Sequence, residues 1–395
     1  MKIVAVKNMP FAAEAFGTLG DVTLLEGRAI RAADVRDADL LLTRTTTPIT
    51  RELLEGSRVR FYGTATIGTD HIDQPYLAAR GIPWCSAAGC NANSVSEYLT
   101  AALLCLGQQH GITLAGKTIG VIGVGNVGTR VVEKAHALGM RVLANDPPRE
   151  RNGDSAPPIG NRQSAVGNSW TALPELLAQS DIVTLHTPLT DEGVDATVHL
   201  ADEAFFEQLK PGAIFINAAR GPIADTDALL RAMDRSIVAH AIMDTWEGEP
   251  DFRSDLLERV FIASPHIAGH SYEGKYMGTV MVYRAACRFL GVEATWSPDA
   301  ILPPPLVPRL TATPDLDPEA ALWELVHAVY DIEADDARMR AVPAGGAAER
   351  RAHFDGQRKS YPIRREFRFT EVDATRTLPI LQRSIDGVGF RLTPQ

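Results

Sequence analysis

Three residues that follow successive apolar runs carry side chains suited to oxidising a small hydroxy acid. They are Arg220 in Asn217-Ala218-Ala219-Arg220-Gly221, Glu249 in Trp246-Glu247-Gly248-Glu249-Pro250, and His266 in Ser264-Pro265-His266-Ile267-Ala268-Gly269. Taking a hydride from the carbon of such a molecule needs a cation for its carboxylate, a base for the hydroxyl proton, and a group that sets the base. Arg220 offers a planar, two-point grip on a carboxylate. An imidazole such as that of His266 can take and return the proton, and a carboxylate such as Glu249 beside it fixes its tautomer. Each residue also has a plainer use: a surface ion pair for Arg220, a solvated loop carboxylate for Glu249, a capped core imidazole for His266. Their succession at strand ends behind a nucleotide motif favours the catalytic reading.

That motif is Gly123-Val124-Gly125-Asn126-Val127-Gly128, a G-x-G-x-x-G that follows an apolar strand and opens a helix running to about Leu138. The spacing suits a tight turn at Gly123, approach of a pyrophosphate to bare backbone at Gly125, and helix against strand at Gly128. Asp146 ends the next strand. A carboxylate there accepts hydrogen bonds from a ribose diol and repels a 2′-phosphate, which points to NAD rather than NADP; the alternative is a cap on the turn into Pro147-Pro148.

The elements that would position these groups read as two α/β series. Lys2–Val6, 39–43, 60–64 and 82–86 alternate with helical stretches. A longer series follows at 118–123, Arg141–Asn145, 181–186, Ala213–Asn217, 237–243 and 261–263, in apolar runs that suit a parallel sheet covered on both faces. The stretch 152–168, rich in Gly, Pro, Asn and Ser, reads as a surface loop. Past Leu290 the pattern breaks, and Pro303-Pro304-Pro305 precedes a helix from Pro318 to about Tyr330.

With 395 residues, 45% hydrophobic and 22% charged, the chain can fill two or three globular cores. Its net charge of −10 disfavours nucleic acid and anionic membranes as partners. No apolar run is long enough to span a bilayer and the first residues lead straight into a strand, so a cytoplasmic location is expected. Cys85, Cys90, Cys105 and Cys287 lack metal-ligand spacing and are expected to be buried, reduced thiols, with no metal site.

Together the G-x-G-x-x-G, the Arg-Gly after a strand, the acidic Glu249-Pro250 and Pro265-His266-Ile267-Ala268-Gly269 resemble the D-isomer-specific 2-hydroxy-acid dehydrogenase family. The resemblance extends through Thr64-Ala65-Thr66-Ile67-Gly68-Thr69-Asp70-His71, Gly89-Cys90-Asn91-Ala92 and Phe354-Asp355-Gly356-Gln357-Arg358-Lys359-Ser360-Tyr361 to a branch that acts on a phosphorylated 2-hydroxy acid. It implies a Rossmann-type doubly wound parallel sheet at 94–267 and a flavodoxin-like substrate-binding α/β domain at 1–93 plus 268–290. An α+β domain at 291–395 would make a homodimer. It implies Arg220, Glu249 and His266 as catalytic groups, and Asn126, Val127, Asp146, Thr187, Ala218, Ala219, Asp244 and Gly269 as NAD contacts beside the three glycines. Thr45 and Thr66 would contact substrate. His270 stands where the family pattern has a substrate-contacting Tyr, which puts that contact in question. Another small acid such as 3-phosphoglycerate, or a non-catalytic NADH sensor of the same fold, are the competing readings. For the substrate's phosphate the tail offers Arg358, Lys359, Arg364 and Arg365, and Arg44 is the other candidate; alternatively the tail cations pair with Asp331, Glu333, Asp335 and Asp336.

Overall fold

A strand can bury every side chain only with helices on both faces, and Leu40–Thr43 and Phe61–Thr64 do so throughout. In the computed structural model, which describes residues 1–157, 169–342 and 346–394, they belong to a unit formed by Met1–Asn91 and Ser271–Pro304. Its five parallel strands are β1 (Lys2–Val6), β2 (Asp21–Leu25), β3 (Leu40–Thr43), β4 (Phe61–Thr64) and β5 (Trp84–Ser86), in the order β2-β1-β3-β4-β5. The order reverses between β1 and β3, the flavodoxin-like switch point at which α/β sheets bind ligands beyond the strands' carboxyl ends. The sequence reading lacks β2. It is an edge strand with no fully buried residue, so it shows neither an apolar run nor a clean alternation.

One face of this sheet is covered by the helix Tyr272–Leu290. Ser271 starts it by accepting the Gly274 N–H at 2.8 Å, and Gly291 ends it in the left-handed region at φ 68°. The helix lies close because β4 has a glycine under it: a Cβ at Gly63 would stand 2.3 Å from Val282.

The second unit, Ala92–His270 with Pro305–Gln395, carries six parallel strands. These are β6 (Thr118–Ile122), β7 (Arg141–Asn145), β8 (Ile182–Leu185), β9 (Ala213–Asn217), β10 (Val238–Met243) and β11 (Ile262–Ala263). Their order, β11-β10-β9-β8-β6-β7, reverses between β6 and β8, directly above the glycine-rich turn. Every strand of the series falls where its apolar run lies. Of the loop expected at 152–168, residues 158–168 lie outside the described residues.

The C-terminal part of this unit, expected as α+β but with no strand positions legible, adds a small parallel sheet of β12 (Arg309–Thr311), β13 (Glu371–Asp373) and β14 (Arg391–Leu392), each strand two or three residues long. Helices Pro318–Val329, Ile332–Arg340, Ala347–Lys359 and Pro379–Val388 surround it. Polar contacts seat this segment on the nucleotide half. Glu319 accepts the N–H groups of Leu114 (2.9 Å) and Ala115 (2.7 Å), Ser384 donates to the Ala137 carbonyl (2.7 Å), and Ser94 donates to Glu366 (2.8 Å). All four cysteines are free thiols, but only Cys105 and Cys287 are buried; Cys85 and Cys90, expected inside, are half-buried because β5 and the turn after it lie at the sheet's margin. Among the described residues no helix is long and apolar enough to cross a membrane.

Candidate active site

At the end of β6 the chain turns through Gly123, whose φ of +84° and proximity to the next strand's end both demand glycine: a Cβ would lie 2.8 Å from the His186 carbonyl carbon and the Thr187 nitrogen. Gly128 is fixed by packing, since a Cβ there would meet the Gly123 carbonyl oxygen at 2.1 Å. At Gly125, among the described residues, nothing beyond its own chain neighbours lies within 4 Å of that position, so the backbone is left bare. Helix Asn126–Ala137 begins here, with Asn126 and Val127 in its first turn and their N–H groups unused by the helix. Thr187, at the end of β8, has a buried hydroxyl with no hydrogen-bond partner among the described residues. A bare glycine at a helix N-terminus and an unused buried hydroxyl across the switch point fit a dinucleotide. Next to Thr187, burial holds the His186 imidazole neutral, its pKa down at about 3.

Asp146 does cap the turn: it accepts the Val124 N–H at 2.8 Å and the Arg149 N–H at 3.1 Å. The two uses are compatible, because each carboxylate oxygen has a second lone pair and the residue is half-exposed.

Arg220 stands three residues past β9 and owes its place to Asn217, which the sequence reading passed over. The fully buried Asn217 amide donates to the Arg220 carbonyl (3.0 Å) and accepts the Ala219 N–H (3.1 Å) and the Thr245 hydroxyl (3.1 Å). Gly221 then passes so near the Trp246 carbonyl that a Cβ would sit 1.9 Å from its oxygen, which explains the Arg-Gly pair. The loops after β9 and β10 are thereby locked together, with Ala218 and Ala219 in the turn and Arg220 half-exposed at its rim.

His266 and Glu249 meet as expected, with Nδ1 2.5 Å from the Glu249 carboxylate. The imidazole side chain is 28% exposed and the carboxylate 24%, enough for a ligand to reach the former. Burial pushes the Glu249 carboxyl up, but the His266 bond and charge, the Trp246 N–H and the Arg358 guanidinium outweigh it and hold it below the ordinary range. His266 itself adopts φ +56°, a left-handed backbone costing about 1–3 kcal/mol in a non-glycine residue. Asp244 imposes it. This carboxylate, 1% exposed, accepts the Ser264 hydroxyl (2.6 Å) and the N–H groups of Ile267 (2.7 Å) and Ala268 (3.1 Å), while its backbone carbonyl takes the His266 N–H (2.7 Å). In the structure Asp244 therefore positions the loop from Ser264 to Gly269 through its buried side chain. Burial raises its pKa against these bonds.

The tail braces the same loops. On one face of helix Ala347–Lys359, Arg351 bonds Asp251 (2.5 Å) and Phe354 lies 5.8 Å from Phe252, both flanking the loop that carries Glu249. Arg364 and Arg365, candidates for the substrate's phosphate or for pairing with the tail's carboxylates, are only 5% and 6% exposed. Arg364 lies 4.2 Å above the Tyr330 ring and donates to the Ser94 and Ala268 carbonyls. In the acidic cluster Asp336 bonds Arg340 (2.7 Å) and the Ala263 N–H, and Asp335 bonds Arg338, Tyr330 and Tyr361, while the charge of Arg364 also acts on Asp335. His270 packs edge-on to Tyr361 with ring centroids 5.8 Å apart.

In the first unit Thr45 is exposed just beyond β3, next to Arg44, whose Nη1 donates to the Asn8 carbonyl at 3.1 Å. Thr66 follows β4 and its hydroxyl lies 2.7 Å from that of Thr64.

Comparison with known proteins agrees with this geometry. The family model for the D-isomer specific 2-hydroxyacid dehydrogenase NAD binding domain matches residues 105–268, and a domain of unknown function (DUF3410) matches residues 301–383. Erythronate-4-phosphate dehydrogenase from Cronobacter sakazakii is 43% identical, with 100% of this chain and 99% of the relative covered. The enzyme of the same name from Pseudomonas fluorescens is 42% identical over 99% of this chain and 100% of its own. Among solved structures, D-lactate dehydrogenase from Aquifex aeolicus complexed with NAD and lactic acid superposes with a TM-score of 0.53 at 26% identity, covering 73% of this chain and 96% of that one. NAD-bound 3-phosphoglycerate dehydrogenase from Entamoeba histolytica gives 0.58 at 25% identity, covering 74% and 95%.

Proposed function

The chain belongs to the erythronate-4-phosphate dehydrogenases of the D-isomer specific 2-hydroxyacid dehydrogenase family, and from that membership we propose that it oxidises 4-phospho-D-erythronate at C2 to 3-hydroxy-2-oxo-4-phosphobutanoate, a step toward pyridoxal 5′-phosphate. NAD, when bound along the Gly123–Gly128 turn, supplies the acceptor for the hydride of C2. Arg220 holds the substrate carboxylate. The Nε2 of His266 takes the hydroxyl proton, its Nδ1–H being committed to Glu249, which stabilises the imidazolium that results. Asp146 receives the adenine ribose, and Asn126, Val127, Thr187, Ala218, Ala219, Asp244 and Gly269 line the rest of the nucleotide's path. Thr45, Thr66 and His270 are assigned to substrate. The observation that carries the reading is the 2.5 Å His266–Glu249 pair one strand away from an Arg220 fixed by Asn217.

The test is a panel of phosphorylated and unphosphorylated three- to five-carbon 2-hydroxy acids, followed by NADH absorbance and ranked by kcat/KM. A higher value for 3-phosphoglycerate than for 4-phosphoerythronate sinks the substrate assignment, and absence of turnover on all of them favours the sensor reading. The same reading takes residues 291–395 as a homodimerisation domain, which sedimentation of the full chain checks, and places the enzyme in the cytoplasm.

A further inference from the structure

We propose that Arg44 and Lys275 together form the subsite for a phosphomonoester dianion, the phosphate end of the substrate. The inference rests on the reading above insofar as it names the ligand, but its observations lie wholly within the first unit. Arg44 follows β3 at the sheet's switch point and is tied through Nη1 to the Asn8 carbonyl, in the loop after β1. Lys275 sits in the first turn of helix Tyr272–Leu290, and that end of the helix rests on the same loop. Thr279 donates to the Pro10 carbonyl at 2.7 Å, and the Tyr276 ring lies 6.2 Å from that of Phe11. Gly278 lets the helix back onto the segment after β4, where a Cβ would come 2.7 Å from the Ala65 carbonyl oxygen, beside Thr66. The carboxyl ends of β1, β3 and β4 and a capped helix start therefore converge where the two cations stand.

Neither cation has a counter-ion among the described residues. The chain carries ten more acidic than basic side chains, and half-buried cations such as Lys210 and Arg340 find carboxylates, at Asp181 (3.0 Å) and Asp336 (2.7 Å). Among the described residues neither Arg44 nor Lys275 pairs with one. Both are half-buried, and burial lowers the pKa of each, with the Arg44 charge pressing the Lys275 ammonium further down. Two like charges withdrawn from water without a partner are unfavourable until an anion joins them, and a doubly charged phosphate neutralises both. With the substrate carboxylate held by Arg220, the phosphate needs cations of its own. Of the tail's cations, Arg364 is committed to the Ser94 and Ala268 carbonyls and Arg365 lies over the Phe369 ring, which leaves Arg358 and Lys359 as the rival candidates.

The experiment uses full-length Arg44→Gln, Lys275→Gln and the double variant, with Arg44→Lys and Lys275→Arg as charge-keeping controls. KM and kcat are measured for 4-phospho-D-erythronate and for D-erythronate, and orthophosphate affinity by titration calorimetry at matched ionic strength. Loss of one charged contact is expected to raise KM for the phosphorylated substrate by roughly 10–100-fold. D-erythronate should change by about threefold or less, orthophosphate affinity should fall in parallel, and the controls should keep most of the discrimination. Equal losses on both substrates, or orthophosphate binding unchanged in the double variant, overturn the inference. If the wild type turns over neither substrate while its orthophosphate binding still depends on Arg44 and Lys275, the substrate reading fails and the anion subsite stands.

Discussion

Both units are built on a parallel sheet whose strand order reverses once, and both gather their polar groups at that reversal, yet one site is written as a motif and the other is not. In the second unit the site is made largely of backbone. The Gly123 turn and the Gly128 contact are held by distances that admit only glycine, Gly125 leaves its backbone bare, and His266 is held in a left-handed conformation, so a short local pattern must appear in the sequence. In the first unit the groups proposed for substrate are side chains, Arg44, Thr45, Thr66 and Lys275, borne by separate loops and by a helix that enters after the whole nucleotide half has been traversed. Side chains reaching inward from scattered positions leave no spacing to read.

The comparison is tested most severely at the catalytic pair. His266→Ala should lower kcat by roughly 10²–10⁴-fold while NAD affinity, measured by fluorescence titration, stays within about threefold, since the imidazole moves a proton and does not hold the nucleotide. A matching loss of NAD affinity would mean that the left-handed loop, rather than the side chain, was the essential feature.

Next in size is a change to the backbone-built site alone. Gly128→Ala drives a methyl into the Gly123 carbonyl, and the strain is expected to cost about 1–3 kcal/mol of stability by thermal or denaturant unfolding and to raise KM for NAD. No shift in either quantity would show that the turn is more pliant than the 2.1 Å approach implies.

Asp146→Ser separates the two uses of that carboxylate. Capping should survive in part, because serine also caps, while the ratio of kcat/KM for NAD over NADP falls by about tenfold. An unchanged ratio leaves Asp146 as a cap only.

The last test concerns pH. With His186 held at about 3 in the folded state and near 6.5 when unfolded, the unfolded chain binds the extra proton first. Its contribution is complete above about pH 6.5 and is lost as the pH falls toward the folded value. His186→Gln should flatten the decline in melting temperature between pH 6.5 and 4, and a parallel decline in both proteins would assign the acid sensitivity to carboxylates such as Glu249.

The amino-acid sequence by itself determined the strands with uniformly apolar runs, the dinucleotide turn, and the identities of Arg220, Glu249 and His266, because burial on two faces and close backbone approach restrict residue type position by position. It also offered Arg44 as a candidate for the substrate's phosphate without choosing between it and the tail cations. The half-exposed edge strand β2 and the three very short strands of the C-terminal sheet were invisible, since such segments have no periodicity to betray them. Only the tertiary structure decided that Asn217 and Asp244 are the buried hubs fixing Arg220 and His266. It alone made Arg364 and Arg365 interior struts, and brought the start of the helix that bears Lys275 against the loop to which Arg44 is tied. Those outcomes depend on which segments become neighbours, and the energy of a polar or charged group is fixed by its neighbours and its access to water rather than by its place in the chain.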